Sequence, residues 1–571
     1  MKKFLIGILV IILCLIGAGG IVLWQAPSLI EQVLLSKEQK DLNSYYGVSD
    51  KQVAIISEGS LKDEKGLLID NQVYLPYEFV KLNLDSRFYW DGSSNTFIFT
   101  DAVKINQNSI QQKDKFYQKD GQLYLSLDFI KSYMEIESEI FKSPNRIYLN
   151  KVEKNRTYVK TKSKINTRTV ASLKGLKISG LKKGEEVEVI SRPNDVWSFV
   201  RTKDGHIGYV LNLMLKESTT NTKKTKSTYK EAEYTNISLG EKVCLGWQQV
   251  SVASANNKME SLLKDTKGLN VISPTWFAIK SDDGNYTSFA SADYVKKAHK
   301  MGLQVWALVD DFDKNMSIYN VLSNTKVRLN LARNLVRDVK KVGADGINVD
   351  FEYVSSEAGW HYLEFLRELS ALCRKEKLIL SVDNTNPTYI REQYHMSEQG
   401  SIVDYVIIMA YDEHWQGSEA GSVASLSYVS DGITNALDMV PPEKLINGIP
   451  FYTRVWKEVP EQYATDSKDI REDGNSEYER YQLTSSAYSM DAVSELINKY
   501  KAEPSWDEPL GQYYVEIPLK EGKYRIWMED ARSLEQKLKL VQDNNLAGIA
   551  CWKLGLESSD VWPVIAKYNQ K

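Results

Sequence analysis

The sequence predicts a multidomain chain that ends in a (β/α)8 barrel over residues 240–571. Two observations carry this. Eight apolar runs follow one another between 242 and 554: KVCLGW, LNVISPTWFAI, QVWALV, GINVDFE, LILSV, DYVIIMAY, KLINGIPF and AGIACWKL. They are continuous rather than alternating, as expected of strands covered on both faces of a parallel sheet. Segments of helical period separate them, and roughly 330 residues suit eight β–α units with insertions. At 571 residues the chain is too long for one ordinary domain, so smaller modules must precede the barrel.

Those modules can be read in chain order. Lys2 and Lys3 precede Phe4–Trp24, 21 residues without a charged side chain. That length crosses a bilayer as a helix. The run ends Trp24-Gln25-Ala26, a poor cleavage site, and Leu13 before Cys14 argues against a lipoprotein. Residues 1–26 are therefore expected to be an uncleaved signal anchor, a single transmembrane helix in a bacterial cell membrane. The lysines would stay cytoplasmic and the catalytic part extracellular; cleavage would instead give a secreted protein. Residues 27–49 read as a short helical stalk.

An internal repeat follows at an offset of 50 residues. Asp70-Asn-Gln-Val-Tyr-Leu-Pro-Tyr-Glu-Phe79 matches Asp120-Gly-Gln-Leu-Tyr-Leu-Ser-Leu-Asp-Phe129, and identity continues at Lys81/Lys131, Ser93/Ser143 and Asn95/Asn145. Each copy reads as strand, short helix, strand, which predicts one duplicated α+β domain at 50–152. The pattern resembles the small stalk-like domain of copper amine oxidases and of many bacterial wall proteins. No ligand cluster accompanies it, so a spacer or adhesive module is expected. At 153–216 the period-two alternation of Glu186–Ile190 and turns at Lys183-Gly184 and Asp204-Gly205 predict an all-β module. Asn166, Arg168, Gly184, Trp197 and Gly208-Tyr209-Val210 resemble a bacterial SH3-type domain. The resemblance implies attachment to the cell wall through peptidoglycan peptides, with a structural spacer as the alternative. The Thr-, Ser- and Lys-rich stretch at 217–239 reads as a flexible linker.

Within the barrel region, Val327, Leu331, Leu335 and Val339 recur every four residues and Gly343 closes a helix over 326–342. Leu534, Leu538 and Val541 mark a second helix, read as the last. The longest interruption, about 457–530, is rich in Tyr and Glu and follows the seventh strand. It predicts a small α+β insertion beside the cleft.

Composition narrows the function classes. A net charge of −3 gives no support to nucleic-acid binding. The 33 Tyr, 13 Trp and 15 Phe suit either carbohydrate handling or aromatic-rich β structure. Cys14, Cys244, Cys373 and Cys551 are far apart, without disulfide or zinc spacing, and the five histidines are scattered. No cofactor and no metal is expected.

The chemistry lies in Asp345-Gly-Ile-Asn-Val-Asp-Phe-Glu-Tyr353. Side chains alternate along a strand, so Asn348, Asp350 and Glu352 share one face and Ile347, Val349 and Phe351 the other. The apolar set faces the helices. The polar set lines the barrel interior and climbs toward its C-terminal mouth, where barrel active sites sit. Two close carboxyls in poor solvent repel as anions, so one stays protonated near neutral pH, as a general acid requires.

The pattern D-G-x-D-x-D-x-E resembles that of family 18 glycoside hydrolases, the chitinase-like barrel enzymes. Asp345, Gly346, Asp350 and Glu352 match; Asn348 replaces the deepest aspartate, which in the family shares the proton of the middle one. Asn at that position is tolerated in the spore-cortex and cell-wall branch. Met409-Ala-Tyr-Asp412 fits the M-x-Y-D at the end of strand six. Trp552 fits the tryptophan that ends strand eight, and Trp527–Ser533 is similar to the wall-lytic branch.

The resemblance implies a retaining reaction without an enzyme nucleophile. Glu352 would be the acid and then the base, Asp350 would orient the substrate's acetamide, and Tyr411 would hydrogen-bond its carbonyl oxygen. Met409, Asp412, Trp552, Asn348 and Asp345 are marked as substrate-binding positions. The expected partner is an N-acetylated polysaccharide, peptidoglycan first. A chitinase, an endo-β-N-acetylglucosaminidase or a non-catalytic sugar-binding protein are the alternatives. Trp276, Trp306, Asp310, Asp311, Asn384, His414, Trp415 and Tyr452 lie near predicted strand ends and are further subsite candidates.

Overall fold

The computed structural model describes residues 31–92, 95–101, 104–109, 115–150, 152, 156–216, 235–388, 391–465 and 470–569. The signal-anchor segment and most of the linker lie outside the described residues. No helix among the described residues is long and apolar enough to cross a membrane. The chain divides into two compact units that meet in sequence near residue 232.

The N-terminal unit holds two main sheets. In the seven-stranded one, Gln72–Pro76 of the first repeat pairs antiparallel with Gln122–Ser126 of the second, and Leu75 faces Leu125. Equivalent positions of the two copies therefore meet, as a local two-fold relation requires. Short helices follow each strand and bury Phe79 and Phe129 in one core. A six-stranded antiparallel sheet spans Thr157–Leu211 and closes around Trp197, Val200 and Val210. Arg168 is buried there and binds Glu31 and the Ser36 carbonyl. The segment expected to be a helical stalk is helical at 31–33 and at Leu42–Tyr46, whereas Ser36 and Lys40 between them donate backbone hydrogen bonds to Leu173 and Lys177.

The C-terminal unit is a closed barrel of eight parallel strands. They are β1 (Val243–Gln248), β2 (Val271–Ile279), β3 (Gln304–Asp310), β4 (Gly346–Asp350), β5 (Ile379–Thr385), β6 (Tyr405–Met409), β7 (Leu445–Pro450) and β8 (Gly548–Trp552). Each pairs with the next, and β8 returns to β1. All eight coincide with the eight apolar runs.

Helix α1 (Thr325–Val342) is capped by Asn324, whose side chain accepts from Lys326 and Val327, and ends at Gly343 with φ 81°. It buries Leu331, Leu335 and Val339 of the predicted stripe and leaves Val327 half-buried. Arg328 of α1 makes a buried bidentate pair with Glu368 of α2 (Gly359–Glu376), both bonds at 2.9 Å. Such a pair tolerates burial because its geometry satisfies both charges. Leu534, Leu538 and Val541 are buried in α3 (Ala531–Asp543) as predicted, although a further helix, Val561–Asn569, follows it.

Between β7 and α3, Tyr452–Met528 forms a six-stranded antiparallel sheet with an α-helix, Met490–Tyr500. Its first strand follows directly on β7, so Tyr452 is carried close to the barrel mouth.

Candidate active site

The site is built on β4. Gly346 begins it because no side chain fits: a Cβ there would stand 2.8 Å from the Ile379 carbonyl oxygen and 3.0 Å from Trp306 Cδ1. The inward residues then rise in order. Asn348 is fully buried and uses its whole amide: its oxygen accepts from Trp247 Nε1 at 2.9 Å and Ser273 Oγ at 3.2 Å. Its nitrogen donates to Ser381 Oγ at 3.0 Å and Asp383 Oδ1 at 2.8 Å. Asp350 is 5% exposed, and Glu352 lies just past the end of the strand.

Asp311, beyond the end of β3, fixes that turn. Its two carboxylate oxygens accept the backbone N–H groups of Glu352 and Tyr353 at 2.9 and 3.1 Å.

Above β4 opens a cavity of about 480 Å³. Asp350, Glu352, Asp383, Asp412, Glu413, Tyr411, Tyr428 and Arg391 supply its ionisable groups. Its apolar walls are Trp247, Trp552, Met409, Phe312 and Trp415. Trp247 and Trp552 meet edge to face at 5.8 Å. Flat apolar rings below and polar groups around them suit a sugar, which presents apolar C–H faces and hydroxyl edges. Phe312 and Tyr353 form a second edge-to-face pair, 6.0 Å apart, and both are exposed. Asp412 accepts from Tyr452 OH at 2.5 Å, which ties the insertion's first strand to the site. Gly448 leaves room for Tyr411: a Cβ there would lie 3.1 Å from its ring and 2.7 Å from the Ile408 carbonyl. A larger cleft of about 780 Å³ lies at the opposite end of the barrel, around residues that precede the strands, such as Lys242 and Asn270. Barrel chemistry belongs to the C-terminal mouth, so the smaller cavity is the candidate site.

Burial dominates the electrostatics. It pushes Asp350 well above the usual carboxyl range, and Asp383 and Glu352 add to this by repulsion. Asp383 is raised by burial too, against the Asn348 hydrogen bond. Burial and then Asp412 raise Glu352, while Arg391 opposes them. Asp311 is raised to about 7 by burial, although the two backbone N–H groups favour its anion. Tyr411 is held well above the usual phenol range by burial, so it remains a hydroxyl. Arg391 is the single cation among the described residues that line the cavity. The cavity thus contains carboxyls that burial biases toward the protonated form and a phenol able to donate.

The structure brings Glu352, Asp350, Tyr411, Asp412, Met409 and Trp552 around one cavity. Two expected substrate-binding residues are elsewhere. Asp345 precedes β4 at the opposite end of the barrel, where its carboxylate meets His299 Nε2 and Val305 N, both at 2.8 Å. Asn348 lies beneath the cavity floor, its four contacts all to protein.

Of the subsite candidates, Trp415 lines the cavity. Tyr452 and Asp311 hold residues that do, through Asp412 and the Glu352 turn. Trp276 is buried on Asn256, Trp306 stacks on Tyr405, Asn384 pairs with Gln399, and His414 binds the Ser422 carbonyl. Trp247, Asp383 and Arg391 were missed. Ser381-x-Asp383-x-Thr385 alternates on the inward face of β5, a signal hidden by ending that strand at Val382.

The model of the glycosyl hydrolases family 18 matches residues 192–557. An uncharacterized glycosylase of Bacillus subtilis, YvbX, is 27% identical over 339 residues, covering 57% of this chain and 90% of that protein. The cortical fragment-lytic enzyme of the same organism is 26% identical over 253 residues. There the match covers 43% of this chain and 54% of the relative, so the chain spans about half of that relative's length. The C-terminal domain of a putative chitinase from Desulfitobacterium hafniense superposes with a TM-score of 0.50 at 20% identity, over 57% of this chain and 99% of that domain. That likeness concerns the fold alone. With the family match extending over more than half of its length, the chain belongs to the glycosyl hydrolases of family 18.

Proposed function

We propose that this chain is a retaining glycosidase that cuts peptidoglycan at N-acetylglucosamine by substrate-assisted catalysis. The observation that carries the reading is Glu352 at the barrel mouth, its carboxyl pushed toward the protonated form, in one cavity with Asp350 and Tyr411.

Glu352 gives its proton to the glycosidic oxygen as the bond to the anomeric carbon breaks. The oxygen of the sugar's own 2-acetamido group bonds to that carbon, and positive charge spreads over the resulting ring. Asp350 accepts the acetamide N–H and offsets that charge; Tyr411 donates to the acetamide oxygen and orients it. Glu352, now a carboxylate, takes a proton from water, which attacks the same carbon from the side the leaving group vacated as the bond to the acetamide oxygen breaks and the free acetamide is restored. Configuration is retained and Glu352 is again protonated. Trp552 and Trp247 form the floor on which the sugar rests, and Asp412 holds a hydroxyl.

Family 18 acts on N-acetylated polysaccharides such as chitin or peptidoglycan. The cell-wall substrate is favoured by the cortical fragment-lytic relatives and by the SH3-type pattern at 153–216, which would attach the enzyme to the wall. The apolar segment 4–24 would anchor it to the membrane with the barrel outside. Purified peptidoglycan and chitin should be digested in parallel by wild type and Glu352→Gln and the products read by mass spectrometry. Wild type should release fragments with N-acetylglucosamine at the new reducing end, faster from peptidoglycan, and the variant none. Faster release from chitin would make the protein a chitinase.

A further inference from the structure

Strand β5 carries a carboxylate that the reaction above does not use. In the β4–β5 register Asn348 pairs with Ser381 and Val349 with Val382. One step further places Asp383 beside Asp350, on the same inward face of a neighbouring strand about 4.8 Å away. Asp383 is 1% exposed and lines the same cavity. One of its oxygens accepts from Asn348 Nδ2; the other, Oδ2, has no hydrogen-bond partner among the described residues, and neither has Asp350 Oδ1. Two unpartnered carboxylate oxygens, buried on adjacent strands, are the expected signature of a proton held between two carboxyls.

Asn348 cannot serve as that proton's second holder. An amide does not titrate, and its four contacts leave it no rotation that would free a group for Asp350. What it does is hold Asp383 in place through its N–H. We propose that Asp383 is the positioning residue that shares a proton with Asp350, so that the carboxyl partner comes from β5 instead of from position 348 on β4.

The inference rests on the substrate-assisted reading. Before bond cleavage one proton lies between Asp350 and Asp383, and the pair carries a single negative charge. As positive charge develops on the acetamide, the proton moves to Asp383, leaving Asp350 as the anion that faces the substrate N–H. No proton enters or leaves the protein in this step. The other titratable groups facing the pair are Glu352, Asp310 and Asp311 with Tyr411 and with Tyr362 of α2.

The test exchanges amide and acid between the two strands in the full-length protein. Asp383→Asn can still accept from Asn348, so folding should persist, with thermal stability close to wild type. Its kcat should fall by about a hundredfold, as when a proton-transfer partner is removed. The pH limb set by the Asp350 pair should also move, with KM little changed. Asn348→Asp combined with Asp383→Asn reverses the donor and acceptor across the same hydrogen bond. The double variant should regain at least about a tenth of wild-type kcat.

An Asp383→Asn variant with wild-type kcat and pH profile, or a folded double variant no better than it, would overturn the proposal while wild-type turnover upholds the glycosidase reading. Wild type inactive on both peptidoglycan and chitin would defeat both.

Discussion

Asp311→Asn tests whether the acid is positioned by the turn that β3 supports. The carboxylate receives two backbone N–H groups, one from Glu352 itself at 2.9 Å and one from Tyr353 at 3.1 Å. An amide accepts with its oxygen only, so one N–H would face an NH2 group. A buried hydrogen bond to a charged acceptor is worth about 1.5–3 kcal/mol. If that loss appears as displacement of Glu352 in the transition state, kcat falls by about 10- to 100-fold, since about 1.4 kcal/mol is tenfold. The sugar floor at Trp247 and Trp552 is untouched, so KM should change little. Steady-state kinetics on a soluble peptidoglycan fragment, with a melting curve for each protein, separates these effects. Unchanged kcat in a folded variant would refute the argument that Asp311 sets the acid.

Four further outcomes follow from the same geometry. Burial and Asp412 raise Glu352, so it keeps its proton above the ordinary carboxyl range and activity is lost on the basic side as pH rises through that raised value. Arg391→Ala removes the opposing positive charge and should move this limb of the kcat pH profile upward; it should also weaken binding of carboxylate-bearing glycans more than of neutral chitin oligomers. In the folded state Asp311 holds a proton below about pH 7 and the Asp350–Asp383 pair shares one, protons that the unfolded chain releases near pH 4, so the stability these groups add is fully present only below about pH 4. It should fall as pH rises, through about 7 for Asp311, which thermal melts across pH 4–8 would show. Gly448→Ala should cost about 1–3 kcal/mol and lower kcat, because the added methyl meets the Ile408 carbonyl and the Tyr411 ring; denaturant melts and kinetics would check both.

The barrel was legible because parallel strands buried on both faces leave continuous apolar runs, and each of the eight runs became a strand. The polar ladder of β4 was legible for the opposite reason: Asn348, Asp350 and Glu352 interrupt such a run with period two. What escaped notice depends on pairing between strands. Asp383 matters only because the β4–β5 register sets it beside Asp350, and a one-strand reading ended the run at Val382. Asp345 was misplaced because a sequence motif does not distinguish the foot of a strand from its mouth; four residues of rise separate it from Val349. Arg391 has no pattern at all, since it reaches the cavity from an irregular segment after β5. The segment before residue 50 is helical at 31–33 and at Leu42–Tyr46, and what its composition does not reveal is the stretch around 36–40, which bonds to 173–177.

The central claim is that one carboxyl at position 352 supplies the proton and the sugar supplies the nucleophile. Digestion of peptidoglycan whose glucosamine N-acetyl groups have been removed, beside the untreated polymer, tests it most directly. The account predicts cleavage of the acetylated polymer by wild type, none by Glu352→Gln, and none of the deacetylated polymer by either. Equal cleavage of both polymers by wild type would contradict it.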